Sequence, residues 1–551
     1  MSCSGWYIAF IALLTSAVGC HSINARPMSA RVDTPDAVFG EGPTMAHPTD
    51  TEAYRAQVLT VVKSAMKAGP VDGADGLDSL TPAGPVRVPL LMSGFSWQPD
   101  DVNRLFEYRW TSKAKLERRH CRPGVGVPLV AVRWRECDEP RLRAIHPFAV
   151  TAILRPAPPT NQRPLNGARA ETNSGDWVLE LHNPLVETEI DIDGQTYPLA
   201  ADLSAPIEYW MSVTEGETNI VAGFFHPDEA KVKPRLSFVE PYQPGKIPAV
   251  FVHGLAADAG TWLATYNDLR ADVDFCRRYQ VWAFRYPTGS GFLASAASLR
   301  EALLAAREEC DPGHQDAALD QMLLVGHSMG GLLSKLQVVC PGEKIWESIG
   351  RGSFNDLRIS PQVRAEISRL IFFEPTPTVS RVVFIATPHR GASLAARPVA
   401  RIASKVVSWA DDSSDPYGAL LRDNLDRLHP WLWMGHPTSV DMLVPGNPIL
   451  DCMWRLPVTN GIVYHSIIGT QGLLLEGGSD GVVEVKSARL PGAVSEVYVP
   501  DHHSGIQHHP TTVAELLRIM EEHVAAAPAT RPVAPAVEPI ELPEPVRGPS
   551  N

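Results

Sequence analysis

The chain has 551 residues, 44% of them hydrophobic, which is enough for a large core and for more than one domain. Its 49 basic and 62 acidic side chains give a formal net charge of −13. This balance argues against a nucleic-acid partner, because phosphate backbones attract clustered Lys and Arg. We therefore expect a protein with two folded domains and no nucleic-acid partner.

The N-terminus carries the pattern of an export signal. Residues 6–18 form an uncharged apolar run that is too short to span a bilayer comfortably. Small residues at 17–19 precede Cys20, an order that resembles a bacterial lipoprotein cleavage site. We expect a signal peptide over 1–19, export to the cell envelope, and lipidation of Cys20 that anchors the protein to a membrane. Because no basic residue precedes Arg26, ordinary cleavage or an uncleaved anchor remains the alternative.

The sequence pattern changes near position 85, from a single helical pattern to short β-type runs. Residues 20–84 contain one amphipathic helix pattern, over 51–68, and we interpret them as a tether with a short helix. From 85 to 240, short β-type runs alternate with Pro, Gly and Asn, and Asp193-Gly194 indicates a hairpin. No helical pattern of convincing length occurs there. We predict a β-rich accessory domain over 85–240 that packs on the following domain, with a ligand-binding module as the alternative.

The cysteines after Cys20 leave their pairing open. In an exported chain they permit disulfides, and Cys121 with Cys137 could close a short loop. Buried free thiols are the alternative.

Strand and helix patterns alternate from 241 to 526. The strand-like runs are 247–252, 281–286, 322–325, 381–386, 464–468 and 496–499. Such alternation predicts a mostly parallel sheet flanked by helices, with the ligand site at the carboxyl ends of the strands. The proline-rich residues 527–551 are predicted to be a disordered tail.

Residues 392–463 are too many for a simple crossover connection, and we interpret them as a cap. Their apolar and aromatic segment 428–434 suits an acyl-chain pocket or a lipid-facing lid. The alternative is that these side chains form the core of the cap itself.

A candidate nucleophile stands at the end of the third strand of this series. The sequence Gly326-His327-Ser328-Met329-Gly330 follows an apolar run and leads directly into a helix-period pattern. A G-x-S-x-G motif between strand and helix predicts a nucleophile elbow, in which the glycines relieve crowding at a sharp turn. A tight turn with a surface serine is the alternative.

A serine hydroxyl needs a base within reach, and the base needs an acid to orient it. In this type of fold the chain order is Ser, then Asp or Glu, then His. Asp480 follows one predicted strand and His503 follows the last one, so both belong to the edge of the sheet where Ser328 points. Rivals for the acid are Glu476, Glu484 and Asp451, and Asp480-Gly481 alone is also a plain turn.

Two adjacent histidines compete for the role of base. We select His503, because Ser504 and Gly505 behind it are small enough for the loop to approach the elbow. His502, beside Asp501, is interpreted as a polar loop residue.

Backbone N–H groups must meet the oxyanion that forms at the attacked carbonyl. The candidates are the N–H groups of Met329, directly after the nucleophile, and of Leu255, in the loop after the first strand of the domain. The histidines at 502, 503, 508 and 509 lack partners with ligand spacing, so we expect no metal and no other cofactor.

The sequence resembles bacterial lipases and esterases of the α/β-hydrolase superfamily. The resemblance is carried by VFVHGL at 250–255, GHSMGG at 326–331, FIATPHRG at 384–391, SDGVV at 479–483, and His503 before a terminal helix. It implies an α/β-hydrolase fold over 241–526 and an enzyme that cleaves small-molecule or lipid esters through an acyl-enzyme. The alternatives are an acyltransferase or amidase with the same site, or a non-catalytic envelope binding protein on the same fold.

Overall fold

The structure is a computed structural model in which the chain forms two compact units. One of them comprises residues 44–80 and 85–551. The described residues are 51–68, 77–81, 84–95, 101–112, 114–134, 145–156, 177–213, 233–255, 257, 259–288, 291–393, 420–421, 423–434, 439–471 and 478–526. The signal peptide, Cys20, Cys137, Glu476, most of the predicted cap before 420, and the tail 527–551 lie outside them.

Short strands fill the region after residue 76, and the first of them lies before residue 85, where the sequence pattern placed the start of the β-rich region. They are β1 (Leu77–Thr81), β2 (Gly84–Val88), β3 (Leu90–Ser93), β4 (Arg104–Phe106), β5 (Cys121–Arg122), β6 (Val127–Trp134), β7 (Ile145–Pro156), β8 (Trp177–His182), β9 (Glu189–Ile192), β10 (Gln195–Pro198) and β11 (Ala201–Asp202). Five of them form a sheet in the order β3-β8-β7-β6-β4, with only the β3–β8 pair parallel. The β9–β10 hairpin turns at Asp193 and Gly194, both with positive φ, which confirms the hairpin signal.

Helix α1 (Thr51–Ala68) packs against the five-stranded sheet rather than standing free in a tether. One face of the helix, which includes Tyr54, Val58 and Val61, is fully buried. The Tyr54 hydroxyl donates to the Leu154 carbonyl at 3.1 Å and accepts from the Leu154 amide at 2.7 Å. Leu154 of β7 lies two residues beyond Ala152, which is the last residue of β7 that pairs with β6. The Tyr54 phenol therefore bonds the backbone of Leu154 where a neighbouring strand is missing.

The region 85–240 contains a short helix that the sequence pattern does not reveal. Helix α2 (Ala205–Val213) lies there, and its first four residues and Trp210 are buried. A nine-residue helix that is buried on most of its surface leaves no amphipathic period, which is why its pattern is unreadable.

The second sheet has seven strands. Its strands are β12 (Arg235–Phe238), β13 (Ile247–Val252), β14 (Tyr279–Arg285), β15 (Met322–His327), β16 (Val379–Ile385), β17 (Val463–Gly469) and β18 (Ser495–Val499). Their order is β12-β14-β13-β15-β16-β17-β18, and only β12 is antiparallel to its neighbour. The expected mostly parallel sheet is confirmed, while β12 extends it into the region assigned to the accessory domain.

Helices flank this sheet. They are α3 (Leu263–Leu269), α4 (Val273–Arg278), α5 (Phe292–Cys310), α6 (Met329–Lys335), α7 (Lys344–Ile349), α8 (Pro361–Ile371), α9 (Ser439–Met442), α10 (Pro448–Arg455), α11 (Val485–Ala488) and α12 (Pro510–Ala526). Every residue of the central strands β13 and β15 is buried, as a parallel sheet covered on both faces requires. One apolar cluster joins these strands and α12 to Ala149, Leu185 and Leu203 of the N-terminal region.

Part of the predicted cap is described. Helices α9 and α10 lie in it, and Leu428 and Leu432 of the aromatic segment are buried, which agrees with a role in the core of the cap. The described cysteines, Cys121, Cys276, Cys310, Cys340 and Cys452, carry free thiols. None of the helices in the described ranges is long and apolar enough to cross a membrane.

Tyr54→Phe should destabilise the protein, because it leaves the buried Leu154 amide and carbonyl without partners. The expected loss is about 1–3 kcal/mol of unfolding free energy, visible as a lower Tm in calorimetry. Tyr197→Phe is the matched control, since its hydroxyl bonds only Gln195 on an exposed hairpin. Equal Tm values for the two variants would contradict the role assigned to Tyr54.

Candidate active site

Ser328 lies at the junction of β15 and α6 with an unusual backbone conformation. Its φ is 53° and its ψ is −125°, a region that a residue with a side chain rarely adopts. The Ser328 amide donates to the Ile385 carbonyl of β16 at 2.8 Å, which ties the turn to the neighbouring strand. A Cβ atom on Gly330 would lie 2.2 Å from the Val252 carbonyl oxygen, so the turn can approach β13 only with glycine there. The predicted elbow is therefore present in its geometry.

The structure brings together the three residues that the sequence selected from separate strand ends. The Ser328 Oγ–H donates to His503 Nε2 at 2.9 Å, and His503 Nδ1–H donates to Asp480 Oδ2 at 2.7 Å. The side chain of His503 is 15% exposed and that of Asp480 is 1% exposed. The result is a continuous hydrogen-bonded chain from hydroxyl to imidazole to carboxylate in a largely dry environment.

Asp480 is held by its own loop. Its second oxygen, Oδ1, accepts the backbone amides of Val482 at 2.9 Å and Val483 at 2.8 Å. These donors compensate the burial of the carboxylate, which would otherwise be costly. The Asp480 carbonyl accepts the His503 amide at 3.0 Å, so the two loops are joined through their backbones as well.

The other acidic candidates have different positions. Glu484 precedes α11 as its N-cap residue, and Asp451 lies within α10. Asp480 is the carboxylate that bonds His503.

His502 and His503 point in different directions. The side chain of His502 is 62% exposed and its Nδ1 lies 2.5 Å from Asp501 Oδ1. The choice of His503 thus agrees with the geometry, and His502 is a polar loop residue paired with its neighbour.

His327, the second residue of the elbow motif, bonds the backbone of His503. Its Nε2–H donates to the His503 carbonyl at 2.9 Å, and the two rings are 4.9 Å apart. Burial, together with the neighbouring His503, lowers the pKa of His327 to about 3. His327 is therefore neutral at ordinary pH and adds no positive charge beside the base.

The loop after β13 lies against the nucleophile. A Cβ on Gly254 would stand 3.0 Å from Ser328 Cβ, so this loop borders the elbow directly. Leu255 is the next residue, and Met329 begins α6 immediately after Ser328. The two residues selected as oxyanion donors thus directly follow, in the chain, Gly254 at the border of the elbow and Ser328 itself.

No group of three or more His, Cys, Asp or Glu side chains that could hold a metal occurs in the described parts of the chain. Of the histidines after residue 500, His508 has a pKa lowered by burial, and His509 Nδ1 accepts the Thr511 amide. These groups serve the loop before α12.

Three contributions were missed at the sequence level. The Ile385 carbonyl holds Ser328, His327 holds the His503 loop, and Gln471 Nε2 donates to the Asp480 carbonyl at 2.9 Å. His327 lies inside the G-x-S-x-G motif, and this position is the sequence signal that could have identified it as a loop anchor. The other two have no local signal, because a backbone carbonyl and a lone glutamine match no spacing rule.

The sequence comparison agrees with the fold. Residues 249–516 match the model of the alpha/beta hydrolase family, a range that includes Ser328, Asp480 and His503. No curated protein matches the chain.

Solved structures similar to the chain share little sequence with it. The mature lipase BlEst2 of Bacillus licheniformis is 20% identical, with 52% of this chain and 97% of that chain covered and a TM-score of 0.32. A carboxylesterase of Nitrososphaera gargenis is 11% identical, with 54% and 98% covered and a TM-score of 0.29. Esterase B of Lactobacillus rhamnosis is 13% identical, with 58% and 95% covered and a TM-score of 0.29.

Strand order, elbow position and family match coincide over the same part of the chain. Residues 249–516 therefore form an α/β-hydrolase domain.

Proposed function

We propose that the protein is a serine hydrolase that cleaves carboxylic esters through an acyl-enzyme. The observation that carries this proposal is the hydrogen-bonded chain from Ser328 through His503 to Asp480. A serine held on a strained turn, with a base at hydrogen-bond distance and an acid behind the base, is the arrangement that nucleophilic acyl transfer needs.

The reaction runs in two halves. In the first, Ser328 Oγ attacks the ester carbonyl carbon while its proton passes to His503 Nε2, and the amides of Leu255 and Met329 stabilise the oxyanion. The imidazolium then gives this proton to the departing alkoxide, which leaves as the alcohol. In the second half His503 takes a proton from water, hydroxide attacks the acyl group, and the carboxylic acid leaves as Ser328 Oγ recovers its proton.

Asp480 and His327 have opposite electrostatic tasks in this scheme. The buried carboxylate of Asp480 stabilises the imidazolium that forms during each half-reaction and fixes its Nδ1–H tautomer. His327 stays neutral because burial lowers its pKa, so no second cation beside His503 opposes protonation of the base. His327 is thus a neutral support for the loop of the base.

The proposed location is the cell envelope. The apolar run 6–18 and the small residues before Cys20 support export and attachment through a lipidated Cys20. A membrane-attached esterase would meet lipid esters at a surface, so we assign small-molecule or lipid esters as the substrate class.

The nucleophile is tested by labelling with a fluorophosphonate, which traps an activated serine. The wild-type protein should be labelled at Ser328, and Ser328→Ala should lose both labelling and at least about 10³-fold of its p-nitrophenyl ester hydrolysis. Ser212→Ala, at the exposed end of α2, is the control and should keep both. An unlabelled, correctly folded wild-type protein would refute catalysis and favour a binding protein on this fold.

The base is tested by comparing the two neighbouring histidines. We expect His503→Ala to lower kcat on the order of 10³-fold or more, because the His503 imidazole is the group that bonds Ser328 Oγ. His502→Ala should stay within about tenfold of the parent, since its ring faces solvent beside Asp501. Rates are measured on variants whose circular dichroism spectra agree. The reverse ranking would overturn the assignment of the base.

The anchor is tested on protein extracted from bacterial membranes. The intact mass should correspond to a chain that begins at Cys20 and carries lipid, and the protein should enter the detergent phase of a Triton X-114 partition. Cys20→Ser should move it to the aqueous phase, because the attached acyl chains are lost. A mature N-terminus at another residue without lipid would contradict anchoring and leave export standing.

A further inference from the structure

One segment of the N-terminal region reaches the loop that carries His503. We call residues 115–122 the strap. The strap is fixed to its own region by the Glu208 carboxylate, which accepts the amides of Lys115 at 2.8 Å and Leu116 at 2.9 Å. At its far end β5 pairs with β11. The strap is therefore a rigid part of the N-terminal region rather than a loose loop.

The strap is bonded to helix α3, which flanks the seven-stranded sheet, by an ion pair in which the Asp268 side chain is buried and the Arg118 side chain is 32% exposed. Arg118 Nε donates to Asp268 Oδ2 at 2.9 Å, and His120 Nε2 lies 2.7 Å from Asp268 Oδ1. Although burial raises the pKa of Asp268, hydrogen bonds from His120 and Arg118 bring it below its usual value. Around them Leu116 packs with Trp210 of α2 and Tyr266 of α3 in one apolar cluster.

Arg118 also bonds the loop of the base. Its Nη2, which pairs with Asp268 as well, donates to the His508 carbonyl at 2.5 Å. The turn Ile506–His508 links His503 to α12. Within the same turn, the Gln507 carbonyl accepts Thr265 Oγ1 of α3 at 2.9 Å. The carbonyls of the successive residues Gln507 and His508 thus accept hydrogen bonds from α3 and from the strap, respectively.

The turn transmits this constraint toward His503. Gln507 Nε2 donates to the Ser504 carbonyl at 2.9 Å, and the Ile506 amide donates to the His502 carbonyl at 3.1 Å. His503 thus lies in a short loop whose C-terminal side is fixed by Arg118. A base must stay within about 3 Å of the hydroxyl that it deprotonates, so small shifts of this loop matter.

We propose that Arg118 is a positioning residue: bridging the Asp268 carboxylate and the His508 carbonyl, it holds the His503 loop in register with Ser328. The inference rests on the proposed function, since it assigns His503 as the base. The N-terminal region then contributes to catalysis without touching the substrate.

The test compares Arg118→Ala with Arg119→Ala in the full-length protein. Arg119 is the matched control, because its guanidinium pairs with Asp202 and stacks on Trp110 inside the N-terminal region. Arg118→Ala should lower kcat about tenfold or more and leave KM within about twofold, since binding groups are untouched while the base is misplaced. Arg119→Ala should keep both values within about twofold.

Two further readouts separate positioning from general weakening. Hydrogen exchange should quicken in peptides covering 503–509 of Arg118→Ala, with peptides of α6 unchanged. Arg118→Lys, which keeps the positive charge and one donor nitrogen, should recover part of the kcat that Arg118→Ala loses. If Arg118→Ala does not fold, Asp268→Asn takes its place, with the same fall in kcat expected from the broken ion pair.

The proposal is overturned if kcat of Arg118→Ala equals that of Arg119→Ala, if KM alone changes, or if exchange over 503–509 is unaltered. A wild-type kcat for Asp268→Asn would also refute it. These outcomes differ from failure of the proposed function, which would show as a wild-type protein that Ser328-directed fluorophosphonate does not label.

Discussion

The positive-φ backbone of Ser328 is the constraint on which the site depends. Holding a non-glycine residue there costs on the order of 1–3 kcal/mol, so the surroundings must compensate. The Ile385 carbonyl accepts the Ser328 amide, helix α6 continues from the turn, and Gly330 allows contact with β13. All three supports come from buried residues of strands β13 and β16 or from the helix that follows β15. The hydroxyl is therefore oriented by the buried centre of the seven-stranded sheet.

The two remaining members of the hydrogen-bonded chain lie on loops, which are less rigid than strands. Asp480 is fixed by two amides of its own turn, while His503 depends on contacts from several directions. His327 holds its carbonyl, Asp480 accepts its amide, and the turn after it is bonded by α3 and the strap. The N-terminal region and the catalytic sheet belong to one compact unit and share an apolar cluster. A β-rich part that looks separate in the sequence is thus built into the active-site neighbourhood.

Local patterns predicted much of the fold and of the candidate site. The buried parallel strands, the elbow and the Asp193-Gly194 hairpin follow from runs of a few residues, because their signals are periodicity and turn chemistry. Chain order and strand ends selected Asp480 and the adjacent pair His502 and His503, and the small residues after His503 decided between the two histidines. Helix α2 was missed because burial on most of its surface removes the amphipathic period. The docking of α1 and the Arg118–His508 bond join distant residues, and no local pattern encodes such pairs.

The order of the chain has a consequence for folding. Arg118 and His508 are 390 positions apart, and Ser328 and His503 are 175 apart. Contacts of such separation form late, because the entropy of closing the intervening loops must be overcome before they stabilise anything. During synthesis Ser328 leaves the ribosome long before His503, and Arg118 precedes its partner His508 by a still longer stretch of chain. The contacts that hold His503 can therefore form only after its loop and α12 have been synthesised, and hydrolysis would begin only when the whole chain has folded.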